Sequence, residues 1–190
     1  MLGVAGCTAL LLIGFGIQDS LLPMLTKQTT ELTHADLTIS LSDEKALTME
    51  QGLADTLDSS SAVRSWGAFY TKSTTLYNEE GGSADVSIVG AEDDARMTEY
   101  FTFRTRVGHD PIPFEEDSVI LTEKTALNLE LSVGDTFYVE AADGSRVPLV
   151  LTGITENYMF TRLYLSNTQL QALLGSTPEW NTVYGLTGCT

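Results

Sequence analysis

From Met1 to Ile17 the chain reads MLGVAGCTALLLIGFGI, with no charged side chain and Thr8 as its sole polar residue. A polar step at Gln18, Asp19 and Ser20 follows, and then a second apolar group, LLPML. A helix with one buried stripe would not place Leu10, Leu11, Leu12 and Ile13 in succession, because those positions point to every side. A signal peptide needs a cationic start and a small-residue cleavage site, and no Lys or Arg precedes Lys27. The run is just under the roughly 20 residues that span a bilayer, so a buried core helix is the competing reading. The all-round apolar surface favours lipid and predicts, for residues 1–28, the outer part of a transmembrane helix that begins upstream of Met1. Gly3, Gly6, Gly14 and Gly16 would each cost a water-exposed helix about 1 kcal/mol relative to alanine. Between membrane helices they permit close approach, and Cys7 there is a small packing residue.

Beyond Gln28 the periodicity changes. ADLTISL (35–41) alternates Leu37, Ile39 and Leu41 with polar residues, the two-residue period of a half-buried strand. Thr48 and Gln51 form a capping box ahead of Met49, Leu53 and Leu57, which predict a short amphipathic helix ending near Ser59. The aromatic and β-branched run 62–78 predicts a long strand bent at Gly67, closed by the turn at Asn78 to Gly82. Strands over 83–91 and 101–107 enclose a helix over 93–100. A strand over 118–122 leads into a helix over 123–129. The turn Leu131 to Asp135 then feeds a strand over 136–141. Asp143-Gly144 predicts a two-residue hairpin turn. A strand over 147–157, a short one at 163–166, a helix over 167–174 and a strand over 182–186 complete the pattern.

The first and last sections each read strand, helix, strand. This order predicts an α+β protein in which a ferredoxin-like βαβ…βαβ subdomain (33–78 and 147–188) carries a small mixed, β-rich insertion (79–146) and follows the N-terminal helix.

Composition adds a strong polarity to this layout. Ten Lys and Arg face 26 Asp and Glu among 190 residues, a formal charge of −16, which argues against a nucleic-acid partner because the phosphate backbone is bound by cations. Residues 1–26 hold one formally charged side chain, Asp19, so nearly all of this charge lies in the water-facing part. Hydrophobic residues make up 43%, enough for a core and too many for a disordered acidic tail.

Candidate chemistry is sparse. No G-x-S-x-G elbow, phosphate-cradling G-x-x-x-x-G-K-[ST] or H-E-x-x-H motif occurs, and Gly14-x-Gly16 lies in an apolar helix where packing explains it. His34 and His109 have no partners at ligand spacing. His109-Asp110 reads as a solvated loop before Pro111. The acidic triplets 92–94 and 115–117 lack the alternating positions and glycine of a calcium loop, so they read as solvated surface. Asp135 and Asp143 are turn residues, and Cys189 has no assigned role. No catalytic residue, cofactor site or metal site is predicted. Arg104 and Arg106, closely spaced cations in an acidic chain, could hold a carboxylate or phosphate of a partner; balancing nearby carboxylates is the simpler use. Trp66, Phe69, Tyr70 and Tyr77 could line a binding surface, with core packing as the alternative. Of these, Arg104, Arg106, Trp66 and Tyr70 are the candidate contacts for a ligand or partner.

Two segments resemble a known family. VAGCTALLLIGFGIQDS is similar to the outer part of the transmembrane helix preceding an extracytoplasmic domain in FtsX-like permeases of ABC transporters. SVILTEKTALNLELSVGDTFYVEAADGSRVPLVLTGITENYMFTRLYLS resembles the second half of the MacB-type periplasmic core domain, with Leu131, Gly134, Asp135, Gly144, Gly153, Tyr164 and Ser166 on its pattern. The resemblance implies a cell-membrane protein whose residues after about 30 lie on the extracytoplasmic side. It implies a noncatalytic permease component with membrane lipid, a separate ABC ATP-binding subunit, the rest of the permease and a possible second permease as partners. Its role would be to couple ATP hydrolysis to export, to lipid or lipoprotein handling, or to control of an outside partner. The alternative is a membrane-anchored ligand-binding or sensory domain using the same anchor.

Overall fold

A computed structural model of the chain describes residues 13, 15, 17, 19, 23–41, 51–141 and 144–188. Residues 13, 15, 17 and 19 and the run 23–27 are helical. The helix passes into a π-helical turn, Gln28–Leu32. Among the described residues no helix is long and apolar enough to cross a membrane; most of the predicted span, with Cys7 and the small residues around it, lies outside them.

The body is mixed α+β. Its strands are β1 (Leu37–Ser40), β2 (Val63–Tyr77), β3 (Ser83–Ala91), β4 (Val119–Thr122), β5 (Thr136–Glu140), β6 (Arg146–Val150), β7 (Gly153–Thr155), β8 (Arg162–Leu165) and β9 (Thr182–Thr187). Its helices are α1 (Gln51–Ser59), α2 (Asp94–Tyr100), α3 (Glu123–Asn128) and α4 (Asn167–Leu174). One sheet runs β1-β9-β2-β3-β8-β4-β7, and β5 branches from the end of β2 to pair with β6. Each predicted βαβ unit is split by other strands. β9 lies between β1 and β2, while β2 and β3 separate β9 from β8. The predicted insertion shares this sheet: β3 pairs with β2 over nine positions and runs parallel to β8, and β4 pairs with β8.

The two-residue period sorts side chains to opposite faces. Tyr70, Ile88, Leu121, Leu163 and Val183 join Leu170 and Leu173 of α4 in one apolar cluster. Their neighbours Phe69, Val89, Ile120, Tyr164 and Tyr184 join Met97 and Tyr100 of α2 in a second, aromatic cluster. There the Phe69 ring packs edge-on against Tyr100, Phe101 and Tyr184 at centroid distances of 5.5, 6.1 and 4.8 Å, the orientation ring quadrupoles favour.

Several sequence-based expectations change in the structure. The segment 101–107 is not a strand; it makes only the single bridges Thr33 to Phe101 and Arg104 to Pro111. Its alternation instead reflects buried Phe101 and Phe103, and Pro111 has no N–H with which to continue a ladder. The predicted strand 147–157 divides because its two parts have different partners: β6 pairs with β5, and β7 runs parallel to β4. Pro148 is tolerated because β6 is an edge strand. The β5–β6 connection is longer than a two-residue turn, with Glu140 opposite Arg146 and Ala141 N–H donating to Ser145 O. Gly144 takes φ +79° in it. The irregularity in β2 falls between Val63 and Ser65 rather than at Gly67. The predicted capping residue Thr48 and Met49, like Asp143, lie outside the described residues.

Helix α4 has both of its stops. Ser166 Oγ accepts from Gln169 N–H at 3.3 Å and donates to Glu116 O at 2.6 Å. Gly175 closes the other end at φ +65°, with its N–H on Gln171 O, the left-handed cap that glycine adopts without strain. Ser166 is fully buried, so Ser166→Ala is expected to cost about 1–2 kcal/mol. Urea unfolding should show this as a lowered midpoint with an unchanged slope.

Candidate functional site

The described residues concentrate their buried ionic contacts where the N-terminal helix meets the sheet. Gln28, at the start of the π-helical turn, is 1% exposed. Its Oε1 accepts from Tyr158 N–H at 3.0 Å and its Nε2 donates to Thr33 Oγ1 at 3.2 Å. Main-chain bonds continue the attachment: Thr102 N–H donates to Leu32 O, and His34 N–H to Tyr100 O. His34 Nε2 also pairs with Thr102 Oγ1 at 2.8 Å. A segment that would otherwise be a free linker is therefore tied to the body on two sides.

Arg104 stands at the centre of this junction. Its Nη2 reaches Glu31 of the π-helical turn at 2.6 Å, and its Nε reaches Glu156, just after β7, at 2.8 Å. Glu156 is 1% exposed at its side chain and also accepts from Tyr158 Oη. Its backbone N–H donates to Arg104 O. His109 Nε2 lies 3.9 Å from the Glu156 oxygen that Arg104 holds. Arg106 turns elsewhere, pairing with Glu123 at 2.9 Å while its guanidinium lies 5.4 Å from the Tyr158 ring centre. Arg104 and Arg106 thus serve different carboxylates and do not converge on one anion.

Burial pushes the Glu156 carboxyl upward, but bonds from Tyr158 and Arg104 outweigh it and hold the group below its ordinary 4.5. The Arg104 hydrogen bond lowers Glu31 against a smaller opposing effect of burial. The Glu156 bond raises the Tyr158 phenol. A carboxylate lowered on folding contributes stability that is complete above its unfolded value and lost as pH falls through its folded value. Acid unfolding of wild type should therefore show loss below pH 4.5. Glu156→Gln should lack part of that slope in stability measured against pH.

The aromatic candidates are placed differently. Trp66 Nε1 donates to Asp58 of α1 at 2.7 Å, and Tyr70 is buried in the apolar cluster while bordering a cleft of about 540 Å³ with Lys72, Ile88 and Leu173. Burial raises the Tyr70 phenol. Phe69 points to the opposite face, and Tyr77 donates to Glu140 at 2.7 Å beneath Arg146. These four residues do not share one surface. Glu92, Asp93, Asp94, Glu115 and Glu116 do come together, around one open hollow with Asn167. There Asp93 caps α2 and Asp94 accepts from Asn167 N–H. Among the described residues no group of three or more His, Cys, Asp or Glu is placed to hold a metal.

The sequence alone passed over Gln28, Glu31, Glu156 and Tyr158. Glu156 carried a signal, being a lone carboxylate that follows an apolar strand. Gln28 carried none, since its role depends on the loop 130 residues away that it meets.

The described residues thus form a mixed α+β body to which the turn Gln28–Leu32 is fixed through Arg104 and Gln28. The chain belongs to the family of MacB-like periplasmic core domains, whose family model matches residues 1–187. It is thus of the kind found as the extracellular part of MacB- and FtsX-like ABC transporter permeases. Among solved structures it is similar to the extracellular domain of the noncanonic ABC-type transporter YknZ from Gram-positive bacteria, at 16% identity and a TM-score of 0.49 over 80% of this chain and 83% of that one. It is also similar to the periplasmic region of MacB from Actinobacillus actinomycetemcomitans, at 14% identity and a TM-score of 0.45 over 78% of this chain and 66% of that one. No curated protein matches the sequence.

Proposed function

We propose that this chain is the noncatalytic coupling domain of an ABC permease. Residues 1–28 belong to a membrane helix, and residues after about 30 lie on the extracytoplasmic side. ATP hydrolysis by a separate subunit moves the helix, and the helix moves the domain, which acts on exported cargo, on lipid or lipoprotein, or on an outside partner. A helix suits this task because its backbone hydrogen bonds are internal, so it travels in lipid as a unit.

The observation that carries the reading is the junction itself. Arg104 joins Glu31, on the helix side, to Glu156, on the sheet side, while Gln28 is locked to the Tyr158 loop. A displacement of the helix end is then transmitted to the sheet without slack. Inserting Gly-Gly between Lys27 and Gln28 in the full permease, reconstituted with its ATP-binding subunit, should leave basal ATP hydrolysis in place and abolish its response to cargo or partner. An unchanged response would refute mechanical coupling and favour a tethered sensory domain.

A further inference from the structure

Two loop tips beside the junction carry exposed apolar side chains, and both tips are built rather than slack. In the first, Thr105 N–H donates to Asp110 O, Asp110 N–H to Thr105 Oγ1, and Thr105 Oγ1 to Val107 O. Gly108 and His109 take positive φ of 89° and 57° to close the turn, and Val107 at its tip is 86% exposed. In the second, Asn157 Oδ1 accepts from both Met159 N–H and Phe160 N–H at 3.1 Å. That turn leaves Met159 and Phe160 51% and 46% exposed. The Arg162 guanidinium backs the Phe160 ring from 4.4 Å. Neither tip contributes these three side chains to the two buried clusters.

The position of the tips identifies what covers them. Arg106 lies over Tyr158 and so joins the two turns, and Tyr158 N–H is bonded to Gln28 at the base of the N-terminal helix. Met24 and Leu25 are exposed on that helix. At 1.5 Å per residue they stand within about 6 Å of Gln28 along its axis. The Met159–Phe160 tip thus follows directly on the residue bonded to the helix base, and the Val107 tip is joined to it through Arg106. Exposed aromatic and aliphatic residues flanked by Arg and Tyr at the end of an apolar helix are the composition of a membrane–water interface.

We infer that the Val107 tip and the Met159–Phe160 tip form a lip that rests in the interfacial layer of the bilayer, fixing the tilt of the domain over the membrane. This rests on the permease reading for the presence of the membrane. The partner is the lipid surface, contacted by three apolar side chains, with Tyr158 and the half-exposed Arg106 at headgroup level.

The full-length permease carrying Phe160→Trp, Val107→Trp or Thr168→Trp, each in liposomes of phosphatidylcholine with brominated acyl chains, tests this. Thr168 is exposed and lies beyond the opposite end of β8. Emission added over that of the unsubstituted permease should be largely lost at positions 160 and 107 and retained at 168, relative to unbrominated liposomes. Equal emission at all three positions would overturn the lip. A blue-shifted but unquenched signal at 160 would overturn it too, since protein rather than lipid would then cover the site. Flotation separates the two readings: a chain that fails to float with the vesicles refutes the membrane anchor itself, whereas a floating, unquenched protein refutes only the lip.

Discussion

Arg104→Ala is expected to lower the unfolding free energy by about 3 kcal/mol, because it strands Glu156 as a buried charge. The cost arises mainly from what is left behind. Glu156 is almost fully enclosed, and after the substitution it keeps the Tyr158 hydroxyl and the His109 ring at 3.9 Å but loses the guanidinium. The same argument predicts that Arg104→Met combined with Glu156→Leu recovers most of the loss, since apolar replacements of a buried pair leave no charge to desolvate. Glu31→Ala should cost far less, because Glu31 is exposed and water can take its place at Arg104 Nη2, which keeps Glu156 as its buried partner. Chemical denaturation of the four proteins checks the series. An Arg104→Ala protein within 1 kcal/mol of wild type would mean that water already reaches Glu156. The double variant carries the functional corollary, since a folded protein without the ionic link should couple helix and sheet less tightly.

A second large effect is expected from Phe69→Ala, at about 4 kcal/mol. Phe69 is fully buried and is the ring against which Tyr100, Phe101 and Tyr184 meet edge-on. Its removal opens a cavity whose lining comes from β2, β9, α2 and the segment after α2. Rings held by α2, by the segment after it and by β9 cannot all collapse into it, so the cost should lie toward the upper part of the range for such truncations. Phe69→Leu, which keeps most of the volume, should cost roughly half as much and separates the cavity from the loss of ring contacts. Thermal unfolding of both variants measures the difference.

How far the sequence could be read depended on how local the cause was. The aromatic and β-branched content of 62–78 and the segment 83–91 were enough to find β2 and β3, since such residues favour an extended chain at their own positions. The helix over 167–174 was found at the bounds of α4, although its caps at Ser166 and Gly175 were not singled out. The alternation of Phe101-Thr102-Phe103-Arg104 misled, because it records which side chains are buried and says nothing of whether the backbone has a partner. The division of 147–157 into β6 and β7 was hidden as well: it depends on which strands lie alongside, and β5 and β4 are set by the whole sheet. The junction was the least legible part. Arg104 was visible as an unusual cation, but Glu156 is 52 positions away and Glu31 is 73 away in the other direction. Only the assembled sheet brings them together.

The place of β9 between β1 and β2 has a consequence for biogenesis. The Phe69 to Thr182 pairing must wait while more than a hundred residues leave the ribosome, a delay on the order of ten seconds at ordinary elongation rates. During that interval the first part of β2 and all of β1 present bare strand edges, the feature that invites wrong pairing. Nascent chains should therefore be most vulnerable to aggregation and proteolysis before β9 emerges, and a chaperone that shields strand edges at the translocation exit would raise the yield of folded protein.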